Sequence, residues 1–283
     1  MWIVTVLAHL FSNTGYNTIL RHAVFERKID SFFLAAVLSS GIAAPALVGI
    51  FISKINWHLF DAHIVFIYAI SILATIFLHV FNAKALEITA AGVFSFLFNF
   101  RIGFVTLFGI TFLGEEIVPY RIAGGALVFV AGLIIAGKST TTLPSIFYSI
   151  LAATMLATVN TTEKYLIDAI GYTTYVFPSA LIICGLLWLS VFIKKTPIDK
   201  DFLKTHALKA LLAFRCVSAY GFTISLGLGA LISVTTYISS LNCVTTPLAA
   251  VIFLKERDNL VRKAVAGIVA LSGVTLIFVT AGL

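Results

Sequence analysis

The chain has 283 residues, 60% hydrophobic and 11% charged, with a formal net charge of +7 and a mean hydropathy of +1.07. Soluble domains average about 25% charged residues, so a water-soluble fold is excluded. The positive excess is no nucleic-acid footprint either, because most Lys and Arg sit in short loops between apolar runs, where they fix orientation.

The apolar runs are continuous rather than alternating, which selects helices over a membrane barrel. In chain order they predict ten spans, at 2–21, 31–53, 62–82, 87–113, 119–137, 143–163, 173–193, 205–224, 229–254 and 259–280. Each is close to the ~20 residues a helix needs to cross the hydrocarbon. The first span begins at Met1 with no basic leader or cleavage site and reads as a retained helix. It carries His9, Asn13, Tyr16 and Asn17, whose i, i+4 recurrence places them on one face. We assign His9 and Asn13 to a cavity lining. His79 and Asn82, late in span three, stand between cavity and packing roles.

Span four contains Asn99 and Arg101 near its middle. A charge at a helix centre costs about 2.5–3.5 kcal/mol on insertion scales. Arg101 therefore needs a partner, water or an anionic ligand, with Asn99 and Asn242 as nearby candidates; the alternative is an arginine that merely pins helices. Gly124, Gly125 and Gly132 of span five permit close helix contact, and the Thr154, Thr158, Thr161 stripe of span six suits packing. Arg215, in AFRCVSAYG of span eight, raises the same question as Arg101, with snorkelling to an interface as its alternative. Span nine holds Ser233, Thr236, Tyr237, Ser240 and Asn242, of which Tyr237 and Asn242 can reach a ligand, and then Pro247, which predicts a kink. Cys184, Cys216 and Cys243 lie in apolar runs without metal-ligand spacing and read as small buried residues.

The two halves of the chain match. Phe112-Leu113-Gly114-Glu115 recurs as Phe253-Leu254-Lys255-Glu256, 141 residues later, and Asn17-Thr18 with Arg21 recurs as Asn160-Thr161 with Lys164, 143 residues later. Five spans per half is an odd number, so the second half would enter the membrane from the opposite face. The expectation is an all-α polytopic membrane protein of two inverted five-helix repeats, 1–140 and 141–283, with substrate sites near the midplane at their interface. On these motifs the chain resembles the ten-helix EamA-type branch of the drug/metabolite transporter superfamily, with Lys255 where that pattern has glycine. The resemblance implies a carrier for small metabolites that works by alternating access, with the Glu of each half marking the repeat. It also implies cytoplasmic termini. The charges imply the reverse: outside the spans, the loops after even-numbered spans hold only Lys54, Arg121 and Lys164, and the other loop cations follow odd-numbered spans.

The reading is a permease of a bacterial inner membrane that moves an amino acid or organic acid, outward by the resemblance, with its anionic group on Arg101. Asn242, His9, Asn13, Tyr237, Asn99 and Arg215 complete the candidate site. The partners expected are a small metabolite and the lipid bilayer, with no nucleic acid, no metal and no cofactor, in a monomer or homodimer. No P-loop, HExxH or GxSxG is present to carry ATP-driven or hydrolytic chemistry. A flippase for a lipid or lipid-linked sugar is the alternative within membranes, and an intramembrane enzyme built on His9, His79 and Arg101 is a third.

Overall fold

The computed structural model describes residues 1–25, 29–88, 94, 97–136, 142–253 and 260–280. Among them every regular element is helical: α1 (Trp2–Phe25), α2 (Ser31–Ile52), α3 (Ala62–Ile88), α4 (Arg101–Leu113), α5 (Pro119–Ala136), α6 (Leu143–Ile170), α7 (Tyr172–Ile193), α8 (His206–Gly227), α9 (Ile232–Ser240), α10 (Asn242–Phe253) and α11 (Leu260–Thr280). A 3-10 turn (Trp57–Leu59) and a short helical turn (Lys200–Leu203) lie in the connections.

Local chemistry sets the ends. Asp30 accepts from the Phe32 and Phe33 N–H groups to start α2, and the Asp61 carboxylate accepts from Ile64 N at 2.8 Å at the start of α3. Thr205 opens α8 by accepting from Leu208 N. Gly114 closes α4 in the left-handed conformation, at φ 67°, where a side chain would be strained. Gly171, at φ 86°, alone links α6 to α7.

Five helices are long and apolar enough to cross a membrane, within α2, α3, α6, α7 and α8. The remaining elements fall short for visible reasons. The stripe of His9, Asn13 and Asn17 lowers the hydropathy of α1, and α4, α9 and α10 are individually short. Large apolar side chains such as Phe51, Phe66, Phe192, Ile268 and Leu271 stand exposed, which water penalises and hydrocarbon does not. The described chain is thus all-helical and suited to a membrane.

The packing is pairwise. α1 lies on α8, α3 on α6, α2 on α7 and α5 on α11, while α4 lies chiefly on α6 and also meets α9. One apolar core joins Val6 and Leu10 of α1 to Val128 and Ala131 of α5, Ile238 of α9, and Ala270 and Ile277 of α11. Another joins α3, α6, α7 and α8 through Ile72, Leu166, Val176 and Leu226. Glycines fix two close crossings. A Cβ on Gly124 would stand 2.6 Å from the Gly273 carbonyl oxygen, and one on Gly221 would stand 2.9 Å from the Thr5 oxygen and 3.1 Å from His9 N. The first holds α5 against α11; the second holds α8 against α1.

Three sequence expectations change. Span six runs past residue 163 to Ile170, so Lys164 is no loop cation but an intrahelical partner of Asp168 at 2.8 Å. Span nine breaks at Leu241, not at Pro247, which lies inside α10. The reason is local: the Ser239 and Ser240 hydroxyls both donate back to the Thr236 carbonyl, and Leu241 N turns to Ile238 O instead of Tyr237 O. Span four breaks as well, at Asn99–Phe100, where neither Pro nor Gly marks it. The second motif, Lys255-Glu256, lies outside the described residues, as do Arg27, Lys28 and Lys138.

Candidate functional site

The two breaks occupy matching places. Phe100 N donates to Leu97 O at 3.2 Å, and Leu241 N donates to Ile238 O at 3.1 Å, in each case an i→i−3 bond in place of i→i−4. Phe100 and Leu241 are 141 residues apart, the same offset as the Glu motif. Their backbones also agree, at φ −56°, ψ −20° and φ −56°, ψ −16°. A break of this kind frees backbone groups and aims the residues around it at one point, as in the discontinuous helices of transporters.

Arg101 begins α4 directly after its break and is 7% exposed. Its Nε donates to Ser240 Oγ at 3.3 Å, the last residue before the other break, and its guanidinium lies 5.1 Å from the Phe98 ring. No carboxylate pairs with it among the described residues. Asn99 and Asn242 flank it, 3% and 8% exposed. Asn242 Oδ1 accepts from Thr14 Oγ1 at 2.9 Å, which leaves its Nδ2 without a partner. Asn99 Nδ2 reaches at most the Cys243 sulfur, a weak acceptor, and has no oxygen partner. Two buried amide donors and a buried guanidinium without a carboxylate therefore stand together. Buried donors of this type seek an acceptor, and an anion supplies one.

A second cluster lies beside the first. Tight packing at Gly221 brings α1 onto α8, so that His9 Nδ1 donates to Ser218 O at 2.7 Å and lies 3.1 Å from Ser218 Oγ. With Nδ1 fixed on a carbonyl, the neutral ring presents Nε2 as an acceptor. Arg215 stands 5.6 Å from the Tyr16 ring. His9, Asn13, Tyr16, His79, Glu163 and Arg215 are each half-buried. Asn13, His79, Glu163 and Arg215 make no hydrogen bond or ion pair with a described residue, yet none holds a fully buried orphan atom. Polar groups in mid-helix that have neither a protein partner nor full burial are groups left for water or a ligand.

Of the residues expected from sequence, the structure gathers Arg101, Asn99 and Asn242 at the breaks, while His9 meets Ser218 of α8 and Arg215 meets the Tyr16 ring. Ser240, not Asn242, is the Arg101 contact. Tyr237 stands apart from this set, its hydroxyl 2.7 Å from Thr106 Oγ1 and its ring against Gly125. Of the expected threonine stripe, Thr154 and Thr158 donate back to carbonyls of their own helix, as does Thr162, whereas the buried Thr161 hydroxyl has no hydrogen-bond partner among the described residues. Glu163 is not singled out by sequence, because the fall in hydropathy places the span boundary at that residue. The signal that finds it is the helical continuation TEKYLIDAI, in which Glu163 falls two turns before the end.

Glu115 has a defined task. Its Oε1 accepts from Ile232 N at 2.6 Å and its Oε2 from Ser233 N at 3.3 Å. A residue of the first half thereby caps the N-terminus of α9 in the second, rather than meeting Arg121 or the start of α5. Leaving a buried N–H unsatisfied costs about 1–3 kcal/mol. Glu115→Ala is therefore expected to lower the melting temperature by several degrees. Glu115→Gln, which keeps one acceptor oxygen, should recover about half of the loss. Thermal denaturation in detergent checks this, and equal stability of all three proteins would refute the cap.

No family model and no curated protein matches this chain. Among 29 matching solved chains, one crystal structure covers 99% of this chain and 99% of its own, with a TM-score of 0.80 and 14% sequence identity. At that identity the likeness is one of fold, and it extends over the whole chain.

Proposed function

We propose that the protein is a ten-span membrane permease of two inverted five-helix halves, which moves a small anionic metabolite by alternating access. In this reading α9 and α10 are the two parts of span nine, and α4 is the second part of span four. Two features support the repeat. The breaks agree in position and backbone geometry across the half-chain offset. The packing pairs also survive exchange of the halves: α1–α8 becomes α6–α3, while the α2–α7, α4–α9 and α5–α11 pairs become themselves. The EamA-type resemblance points to the same architecture and to metabolite carriage in an inner membrane, with export as the direction.

The observation that carries the function is Arg101: buried at a helix break, without a carboxylate among the described residues, and flanked by two amide donors that lack acceptors. A permanent structural role would supply the missing acceptor from the protein, since an unpaired buried charge costs several kcal/mol. An amino acid or organic acid brings its own carboxylate, which a guanidinium binds in bidentate fashion.

Ligands that bind the folded state raise its melting temperature. A thermal-shift screen of the purified protein should therefore give upward shifts with carboxylate compounds and none with neutral sugars or polyamines. Shifts with sugars or polyamines alone would remove the anion assignment.

A further inference from the structure

The polar groups around the two breaks are unequal in kind: donors are left over and acceptors are used. Asn99 Nδ2, Asn242 Nδ2 and the Thr236 hydroxyl are buried without an oxygen partner. Among the described residues the Arg101 guanidinium engages only Nε, on Ser240 Oγ at 3.3 Å. That contact joins the breaks directly, because Arg101 follows Asn99 by two residues and Ser240 precedes Asn242 by two.

The acceptors are engaged within the chain. Leu97 O accepts from Phe100 N at 3.2 Å, Asn99 O from Ile102 N at 3.0 Å, and Ile238 O from Leu241 N at 3.1 Å. Leu241 O accepts from both Val244 N, at 2.8 Å, and Thr245 N, at 2.9 Å. Thr236 O takes the Ser239 and Ser240 hydroxyls, and Asn242 Oδ1 takes the Thr14 hydroxyl at 2.9 Å. No acidic side chain comes from the helices that carry these groups: α4, α9 and α10, with α1 and α5 packed on α10, contain no Asp or Glu. His9 Nε2 is an acceptor too, but on another side of α1. At ~100° per residue, His9 and Thr14 stand about 140° apart around that helix. His9 faces Ser218 and Phe222 of α8, whereas Thr14 faces Asn242 of α10.

We propose that the site selects acids by what stands next to the carboxylate: it takes a 2-oxo acid and rejects the α-amino acid of the same carbon skeleton. The inference rests on the anion reading above and deepens it. In a 2-oxo acid the carboxylate and the adjacent carbonyl present oxygen lone pairs only. Arg101 binds the carboxylate through its Nη groups. The Asn99 and Asn242 amides donate to the oxygens that remain, so the donors left over at the breaks gain acceptors. In the amino acid an ammonium replaces the oxo oxygen. It brings N–H donors and a positive charge to a place that already holds surplus donors and a guanidinium. Donors then stand on both sides without acceptors, which is the arrangement that discriminates most strongly between ligands of one size. Binding is the only event; no covalent bond is made or broken.

The test compares acids that differ at one position. Purified full-length protein in nanodiscs is titrated by calorimetry, at one pH and ionic strength, with pyruvate and L-alanine and with 2-oxoglutarate and L-glutamate. Each oxo acid should bind roughly tenfold or more tightly than its amino partner, the discrimination that unpaired buried donors produce. Propionate, which has the carboxylate alone, should fall between pyruvate and alanine. The preference for pyruvate over propionate should shrink in N99A and in N242A, while the affinity for propionate stays near that of the wild type. If a variant fails to fold, the wild-type comparison decides alone. Amino acids that bind as tightly as the oxo acids, or a pyruvate preference unchanged in both variants, would overturn the proposal and leave the anion reading intact. Absence of binding of all these acids to the wild type would overturn the anion reading and this inference together.

Discussion

Arg101→Ala is expected to fold like the wild type and to lose anion binding and transport. Among the described residues, its guanidinium donates one hydrogen bond through Nε, to Ser240, and contacts the Phe98 ring. A buried cation without a carboxylate partner contributes little to stability, since the desolvation of the charge opposes what its contacts supply. Removal should leave the melting temperature within a few degrees of wild type. The loss of a buried charge–charge contact to a ligand costs about 2–5 kcal/mol, which corresponds to roughly 30- to several-thousand-fold in affinity at 1.4 kcal/mol per tenfold. Arg101→Lys should restore only part of this, because a point charge cannot reproduce the two-pronged geometry. Ligand-dependent thermal shifts and proteoliposome transport check both variants. If Arg101→Ala fails to fold while Arg101→Lys behaves as wild type, Arg101 is a helix pin and the assignment fails.

The largest effect on folding is expected at the crossing of α5 and α11. A Cβ on Gly273 would meet the Gly124 oxygen at 2.6 Å and Leu127 Cβ at 2.9 Å, and a Cβ on Gly124 would meet the Gly273 oxygen at 2.6 Å. These obstacles are backbone and the root of a side chain, so no rotamer change relieves them; the helices must part. Overpacking a tight contact costs about 1–3 kcal/mol and more when backbone must move. Gly273→Leu should therefore abolish recovery of monodisperse protein, and Gly273→Ala should lower the melting temperature clearly. Gly103→Ala and Gly185→Ala are the controls. A Cβ at either place meets nothing within 4 Å, and an Ala in a helix is favoured over Gly by roughly 0.5–1 kcal/mol. Size-exclusion chromatography and thermal denaturation separate the two classes, and equal behaviour of Gly273→Ala and Gly103→Ala would contradict the packing.

The apolar runs make the helices legible, because segments of soluble proteins rarely stay apolar over about 20 residues. Helices α2, α3, α6 and α7 begin within one residue of the expected spans. Arg101 is legible on the same ground, as a charge in a run that should not contain one. The breaks are not. AAGVFSFLFNFRIGF reads as one span, since neither Pro nor Gly stands at its interruption, and Pro247 draws attention to a point six residues past the true break. Glu163 is hidden by a boundary: hydropathy falls where TTEKYLID begins, but the helix continues to Ile170 through the Lys164–Asp168 pair and packing of Leu166 and Ile167. The Glu115 cap joins residues 117 positions apart, and no local pattern announces such a contact.

Counterflow in sealed proteoliposomes tests the central claim most directly. Vesicles containing the wild type are loaded with an unlabelled mixture of amino and organic acids and diluted into trace labelled acids one at a time. At least one labelled acid should accumulate transiently and emerge chemically unchanged, and Arg101→Ala vesicles should show none. Absence of counterflow with every acid, together with movement of a labelled lipid between leaflets or chemical change of an added acid, would contradict an anion carrier and point to a flippase or an enzyme instead.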